Sequence, residues 1–359
     1  MKKRSFIILL PALALFSCSE DPINEIESET GLSNSNGLDA NVEVAYPGKS
    51  GNVSDVFFAG KRLPVESIEG NLVYQGDIIF SRDMVTDQEQ KIVYEKGETP
   101  SQQKSVGRTS SYWPNNIVYY SIDATLPDQT RVTDAIAHWE SNTAVKFVQR
   151  SGESNYVYFT PGGGCSSYVG MVGGRQNITL ASGCSTGNTI HEIGHAVGLW
   201  HEQSRVDRDS YITINFENIT SGTEHNFRTY EENGYDGSEF TSSLDFGSIM
   251  MYSSYSFSAN GQPTIVKKDG STYSVQRSAL SGGDVEGITS MYPGEAGGGT
   301  IEPPTTTTPE PTPEPTYING EYYTIAGLTV LRRKDSWFFK KDRGGWQEVV
   351  LINGSWFYV

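Results

Sequence analysis

The chain has 359 residues, a mass of 39.5 kDa, a formal charge of −16 and a sequence pI near 4.8. Its 20 Tyr, 15 Phe and 6 Trp are too many ring side chains for a disordered chain, and 38 Gly with 16 Pro are too few for collagen. So acidic a protein repels phosphate, which excludes general nucleic-acid binding, while the length leaves room for two or three domains.

In chain order, residues 1–18 come first, with Lys2, Lys3 and Arg4 ahead of a short apolar run. This is a signal peptide, too short and too proline-interrupted to be a good membrane span. Its end, Leu15-Phe16-Ser17-Cys18, resembles a bacterial lipobox, which implies that Cys18 is lipidated and anchors the precursor to a membrane. An ordinary secretory signal with an incidental Cys18 is the alternative. Residues 19–50 read as an acidic tether, since Ser19 to Glu43 hold seven acids and no Lys or Arg. The run behind Cys18 also resembles the export signals of surface lipoproteins in Bacteroidetes-type bacteria, so an outer-membrane or cell-surface location is expected.

Residues 51–108 hold short alternating runs, with strands expected at Leu72–Tyr74 and Ile78–Phe80 around Gln75-Gly76-Asp77. Residues 109–293 are globular, with a strand at Ile117–Ile122, a helix around Asp128–Thr143 and alternation at Tyr156–Phe159. Residues 294–316 form a Gly then Pro/Thr/Glu linker with no means of building a core. Residues 317–359 read as a small β module, with nine aromatics from Tyr322 to Tyr358 and turns at Asn319-Gly320 and Asn353-Gly354. Those rings serve as the module's own core, as a face that binds substrate, glycan or cell surface, or within a sorting tail. The sequence leaves all three open.

The chemistry concentrates in His191-Glu192-Ile193-Gly194-His195-Ala196-Val197-Gly198-Leu199-Trp200-His201. A spacing of four puts His191 and His195 one helical turn apart, so both imidazoles reach one zinc ion, with Glu192 beside them to take a proton from water. Gly198 ends the helix and lets the chain turn back, bringing His201 round as a third ligand. The chain has five histidines, and three fall in this pattern. His138 reads as structural, and His225 receives no role.

This motif, continued by Glu202-Gln203-Ser204-Arg205-Val206-Asp207, resembles the astacin family of metzincin zinc peptidases. The resemblance runs from about Ser111 to Tyr292 and takes in Tyr112-Trp113-Pro114, Cys165 to Gly170, and Ser248-Ile249-Met250-Met251-Tyr252. It implies an α+β fold: a two-lobed zinc peptidase domain with a twisted mixed sheet and an active-site helix, followed here by the small all-β module. It also implies one zinc per catalytic domain, Met250 as the methionine beneath the metal, and Tyr252 as a weak metal ligand that moves to stabilise the oxyanion. Cys165 and Cys184 match a family disulfide. Substrate peptides are expected to lie extended along an edge strand near Cys165–Gly170, with Tyr168, Arg175 and Arg228 as cleft candidates; the acidic preference common in the family has no assigned partner. Tyr74-Gln75-Gly76-Asp77 resembles the aspartate-switch motif of astacin pro-segments, which makes Asp77 a carboxylate ligand that silences the metal. A plain turn between two strands is the alternative.

Cleavage after Arg108 would give a mature start at Thr109 with an amine able to reach Glu202, and would release the enzyme from its anchor. The reading is therefore a latent zinc endopeptidase with protein substrates and an activating protease as partners, acting as a monomer. A silent zinc-containing surface adhesion protein and a cell-wall peptide hydrolase are the alternatives; intact Glu192 and Tyr252 argue against the first, and casein against wall fragments as substrates separates the second.

Overall fold

The computed structural model describes residues 43–58, 61–87, 93–94, 112–230, 232, 240–297, 318–325, 328–334, 336–341, 345–352 and 355–359. Cys18, Arg108, Thr109 and most of the tether and linker fall outside them.

The upper lobe is a five-stranded sheet in the spatial order Lys146–Gln149, Ile117–Ile122, Tyr156–Pro161, Arg175–Leu180, Cys165–Ser166. The first four strands run parallel and the last is antiparallel, at the edge. Parallel strands need long crossovers, and helix α1 (Thr130–Asn142) supplies the first. Its Val132, Ala135, Ile136 and Trp139 are buried on one face, a helical spacing legible in the chain. Helix α2 (Thr186–Ala196) packs against α1 and starts with a capping box in which Ser185 and Asn188 satisfy each other's backbone N–H. Two indoles fasten this layer: Trp139 Nε1 donates to the Ile190 carbonyl at 3.1 Å and Trp113 Nε1 to the Ala196 carbonyl at 2.8 Å. Arg131 of α1 donates to the carbonyls of Ala181 and Cys184, and the Cys165–Cys184 disulfide closes the loop between them. Across its 19-residue separation that bond contributes about 3 kcal/mol on the chain-entropy view.

The lower lobe has little regular structure. Ile212–Ile214 pairs with Ile265–Lys267, and a separate apolar cluster of Ile212, Phe227, Leu244, Met251, Tyr252 and Ile265 holds it together. Helix α3 (Gly282–Met291) returns to the upper core through Ile288 and Met291.

Residues 52–80 form a four-stranded antiparallel sheet, Asn52–Phe58, Lys61–Ile68, Asn71–Tyr74 and Ile78–Phe80. Its apolar face, with Phe58, Leu63, Leu72, Tyr74 and Phe80, buries Val169 and Tyr230 and packs on Trp200. The tether read through residue 50 gives way earlier than composition suggested. Glu43 and Ala45 are buried, because Ala45 N–H donates to the Gly76 carbonyl and Glu43 finds a cationic partner described below. Near the C-terminus, strands between Tyr322 and Tyr358 form an antiparallel meander, so that module is all-β.

Candidate metal centre

α2 delivers His191 and His195 one turn apart on its buried face, with Glu192 between them. The helix stops at Gly198, whose φ of +114° is open to glycine, and the N–H groups of Gly198 and Leu199 close back on the carbonyls of His195 and Gly194. That reversal brings His201 to face the other two rings, whose centroids lie 5.5 Å and 4.7 Å from its own. Gly194 serves packing: a Cβ there would stand 2.7 Å from Met250 Sδ, so the methionine sits directly beneath the helix.

Each imidazole is held by its outer nitrogen. Nδ1 of His191 donates to the Ile249 carbonyl at 2.8 Å, that of His195 to the Leu199 carbonyl at 2.8 Å, and that of His201 to Gln75 Oε1 at 3.0 Å. Protons placed on Nδ1 leave three Nε2 lone pairs pointing inward. The fourth group is Asp77. Its Oδ2 lies 3.2 Å from Nε2 of both His191 and His201, and its Oδ1 lies 3.7 Å from Nε2 of His195. A carboxylate facing three lone pairs is repulsive unless a cation stands among them. Tetrahedral ligands about 2.0–2.2 Å from zinc are about 3.3–3.5 Å from one another, close to the spacing seen. The four groups are wholly or almost wholly buried, and Asp77 Oδ1 and His195 Nε2 have no hydrogen-bond partner. The donor set therefore fits one zinc ion.

Electrostatics agree. Burial pushes His195 down to about 4 and His201 below the usual histidine value, keeping both neutral as ligands must be. Burial acts the same way on His191 but is outweighed by the carboxylates of Glu43 and Asp77, which equally favour a divalent cation nearby. Burial, then Asp77 and Glu43, push Glu192 well above the ordinary carboxyl range, and both of its oxygens lack a partner.

The floor is braced from α3. Asp284 accepts from Ser248 Oγ at 2.6 Å and from the Ile249 N–H at 2.9 Å, fixing the carbonyl that orients His191. Glu202 accepts from the Asp245 N–H at 2.8 Å, and burial raises its carboxyl to about 7. Thr109, the amine expected to meet it, lies outside the described residues. The Tyr252 ring lies 4.7 Å from that of His201, and its hydroxyl donates to the Gln75 carbonyl.

Asp77 arrives on the tip of the hairpin Asn71–Tyr74/Ile78–Phe80, so the carboxylate that faces the histidines is carried by a turn between two strands. The hairpin is stitched to the sheet edge: the Ser167 N–H donates to the Asp77 carbonyl at 3.1 Å and the Ile79 N–H to the Ser167 carbonyl at 2.8 Å. Half-buried Tyr168 follows directly along that edge. The other two cleft candidates are elsewhere engaged or exposed. Arg175 stacks 3.7 Å from the Tyr158 ring centroid and bonds Asn177, while exposed Arg228 rims a groove with Arg208, Glu224 and Glu232 and meets the hairpin through its carbonyl, which accepts from Gln75 Nε2 at 3.3 Å.

The guanidinium that sequence reasoning missed is Arg277. It pairs with Glu43 through Nε at 2.6 Å and Nη2 at 3.0 Å, and Nη2 also donates to the Met251 carbonyl at 3.0 Å. Asn188 Nδ2, one turn before His191, donates to the same Glu43 oxygen at 2.6 Å. Arg277, Asn188 and Glu43 thus form a carboxylate site beside the metal centre. No local motif announces it; a lone Glu in a stretch of acids and a lone Arg after Gln276 were the available signals.

Comparison with known proteins bears on the part of the site that carries the histidine motif. The family model Astacin (Peptidase family M12A) matches residues 105–293, more than half the chain. The chain belongs to the astacin family. Blastula protease 10 of Paracentrotus lividus is 37% identical over 231 residues, covering 61% of this chain and 38% of that one. Zinc metalloproteinase nas-4 of Caenorhabditis elegans is 40% identical over 193 residues, covering 52% and 61%. The chain spans less than two thirds of the length of these curated relatives. Among solved structures, High choriolytic enzyme 1, a hatching enzyme zinc-protease from Oryzias latipes, aligns with a TM-score of 0.47 at 30% identity, over 51% of this chain and 95% of that one.

Proposed function

We propose that this chain is the precursor of a zinc endopeptidase, held silent by its own residues 43–80 and cleaving extended peptides once they leave. The observation that carries the reading is the Asp77 carboxylate 3.2 Å from two inward imidazole nitrogens, with the orphaned Glu192 carboxyl beside it. Zinc, when bound to the three histidines, would polarise the scissile carbonyl and make its water more acidic. Glu192, buried where its carboxyl makes no structural bond, takes the proton of the attacking water and passes it to the leaving amine. The Tyr252 hydroxyl, which now donates to the Gln75 carbonyl, turns to the oxygen that becomes negative during attack. The edge from Cys165 to Ser167 holds the substrate backbone through the Cys165 N–H that Val44 now occupies and the Ser167 N–H and C=O that Asp77 and Ile79 now occupy. Arg277 and Asn188 receive an acidic substrate side chain in the place of Glu43.

Casein cleavage and metal content by Glu192→Gln (E192Q) test the core of this. Zinc should stay at one per chain while activity falls by about 100-fold or more, the usual share of a general base. Substantial activity in E192Q sinks the proton-transfer role. The anchor is proposed from the lipobox likeness at Cys18 alone, and lipid labelling that survives Cys18→Ala would refute it.

A further inference from the structure

The sheet of the C-terminal module is completed from a distance. Five strands, Tyr322–Ile325, Leu328–Arg333, Ser336–Lys340, Trp346–Ile352 and Ser355–Tyr358, each pair antiparallel with the next. The sixth strand is Val93–Tyr94, which in sequence follows the Asp77 hairpin and precedes residue 105, where the family match begins. It runs parallel to Ser355–Tyr358 in the register Trp356↔Val93 and Phe357↔Tyr94. A meander has two edges, each a row of N–H and C=O groups ready to take another strand. Ser355-Trp356-Phe357-Tyr358 is rich in strand-forming aromatics with no proline and no charge, and Val93-Tyr94 favour extended backbone too.

We propose that the edge strand Ser355–Tyr358 is a peptide-binding site whose occupant is the Val93–Tyr94 segment of the same chain, so that the C-terminal module clamps the pro-segment. The role rests on reading residues 51–108 as a pro-segment. Arg108 lies C-terminal to the clamped strand, so a cut there leaves the Asp77 hairpin and Val93–Tyr94 on one fragment. That fragment grips the enzyme twice: in the cleft through Asp77 and Ile79, and on a module still joined to the catalytic domain through residues 294–316. When one contact opens, the other keeps it at high effective concentration, so the fragment leaves far more slowly than either contact alone would allow. Two paired residues make a weak clamp by themselves, which suits a device that must finally let go. Maturation then has two steps, cutting and release.

The test uses the full-length chain and the double variant Val93→Pro with Tyr94→Pro, which removes both N–H donors from the added strand and changes no residue of the five-stranded meander or of the sheet at residues 52–80. Amide exchange read by mass spectrometry should be about tenfold slower in 355–358 of the wild type than of the variant, the effect of one or two net backbone bonds. After trypsin-like cutting, the fragment should co-elute with the wild-type enzyme in gel filtration and separate from the variant. Equal exchange, or equal retention of the fragment, overturns the clamp. Exchange needs no peptidase activity, so its failure is distinct from failure of the latency reading, which an active uncut wild type would reveal.

Discussion

Glu43 and Arg277 stand 234 positions apart and share a two-point ion pair beside the metal centre. Burial works against a charged Glu43, but His191 and Arg277 hold its carboxyl below the usual range. On the proposed reading, a substrate carboxylate takes that place once residues 43–80 depart. Arg277→Ala should therefore lower kcat/KM by about 10- to 100-fold on peptides with an acidic residue at that subsite, the worth of a charge-assisted pair, and spare neutral ones. Arg277→Lys keeps the charge without the fork and should restore the preference only in part. A peptide library read by mass spectrometry decides, and equal losses on acidic and neutral peptides would refute the assignment. The histidines, Glu192 and Asp77 were legible because the spacing of four residues, or a turn flanked by apolar runs, is local. Arg277 was not, because its meaning comes from an acid in a stretch whose composition reads as solvated.

Elements with a single period were legible. The helix expected around Asp128–Thr143 is Thr130–Asn142, and the end of α2 falls at the glycine that its motif announces. α3 was not, since it begins with Gly282-Gly283, and only the Ser281–Asp284 capping box marks it. The Asp77 hairpin was legible as strand, turn, strand, but its grip on the sheet edge was not. Its tip is constrained: Gly76 has φ +86°, and a Cβ there would stand 3.1 Å from Phe257 Cζ. Gly76→Val should cost about 1–3 kcal/mol of hairpin docking through strain and contact, and so make the precursor leak. Asp77→Ala should leak further, cleaving short fluorogenic peptides without processing while large proteins remain nearly uncut. Both variants should match wild type after full maturation, because the altered residue is then gone. A wild-type precursor already as active as the mature enzyme would reduce Asp77 to a turn residue.

On the scale of the whole molecule, the composition breaks outline the segments but do not reveal that separate segments complete one site. His191 and His195 are oriented by carbonyls of the catalytic domain, whereas His201 is oriented by Gln75, 126 residues upstream. The fourth metal-facing atom, an oxygen, belongs to Asp77, and the apolar face with Phe58, Leu72, Tyr74 and Phe80 seals that side against Val169 and Tyr230. A chelator must wait for this seal to open, then for a ligand to swing away. Removing residues 43–80 takes away the seal, one ligand and one orienting bond together. Zinc should therefore leave the cut, pro-segment-free enzyme about 10- to 100-fold faster than the precursor under excess chelator, the range typical of losing an orienting partner. Gln75→Ala precursor should fall between the two, since it loses the His201 bond but keeps Asp77 and the seal. Zinc release followed with a chromogenic dye measures all three proteins. Equal rates in precursor and cut enzyme would mean that the catalytic domain holds its metal without help from the segment that covers it.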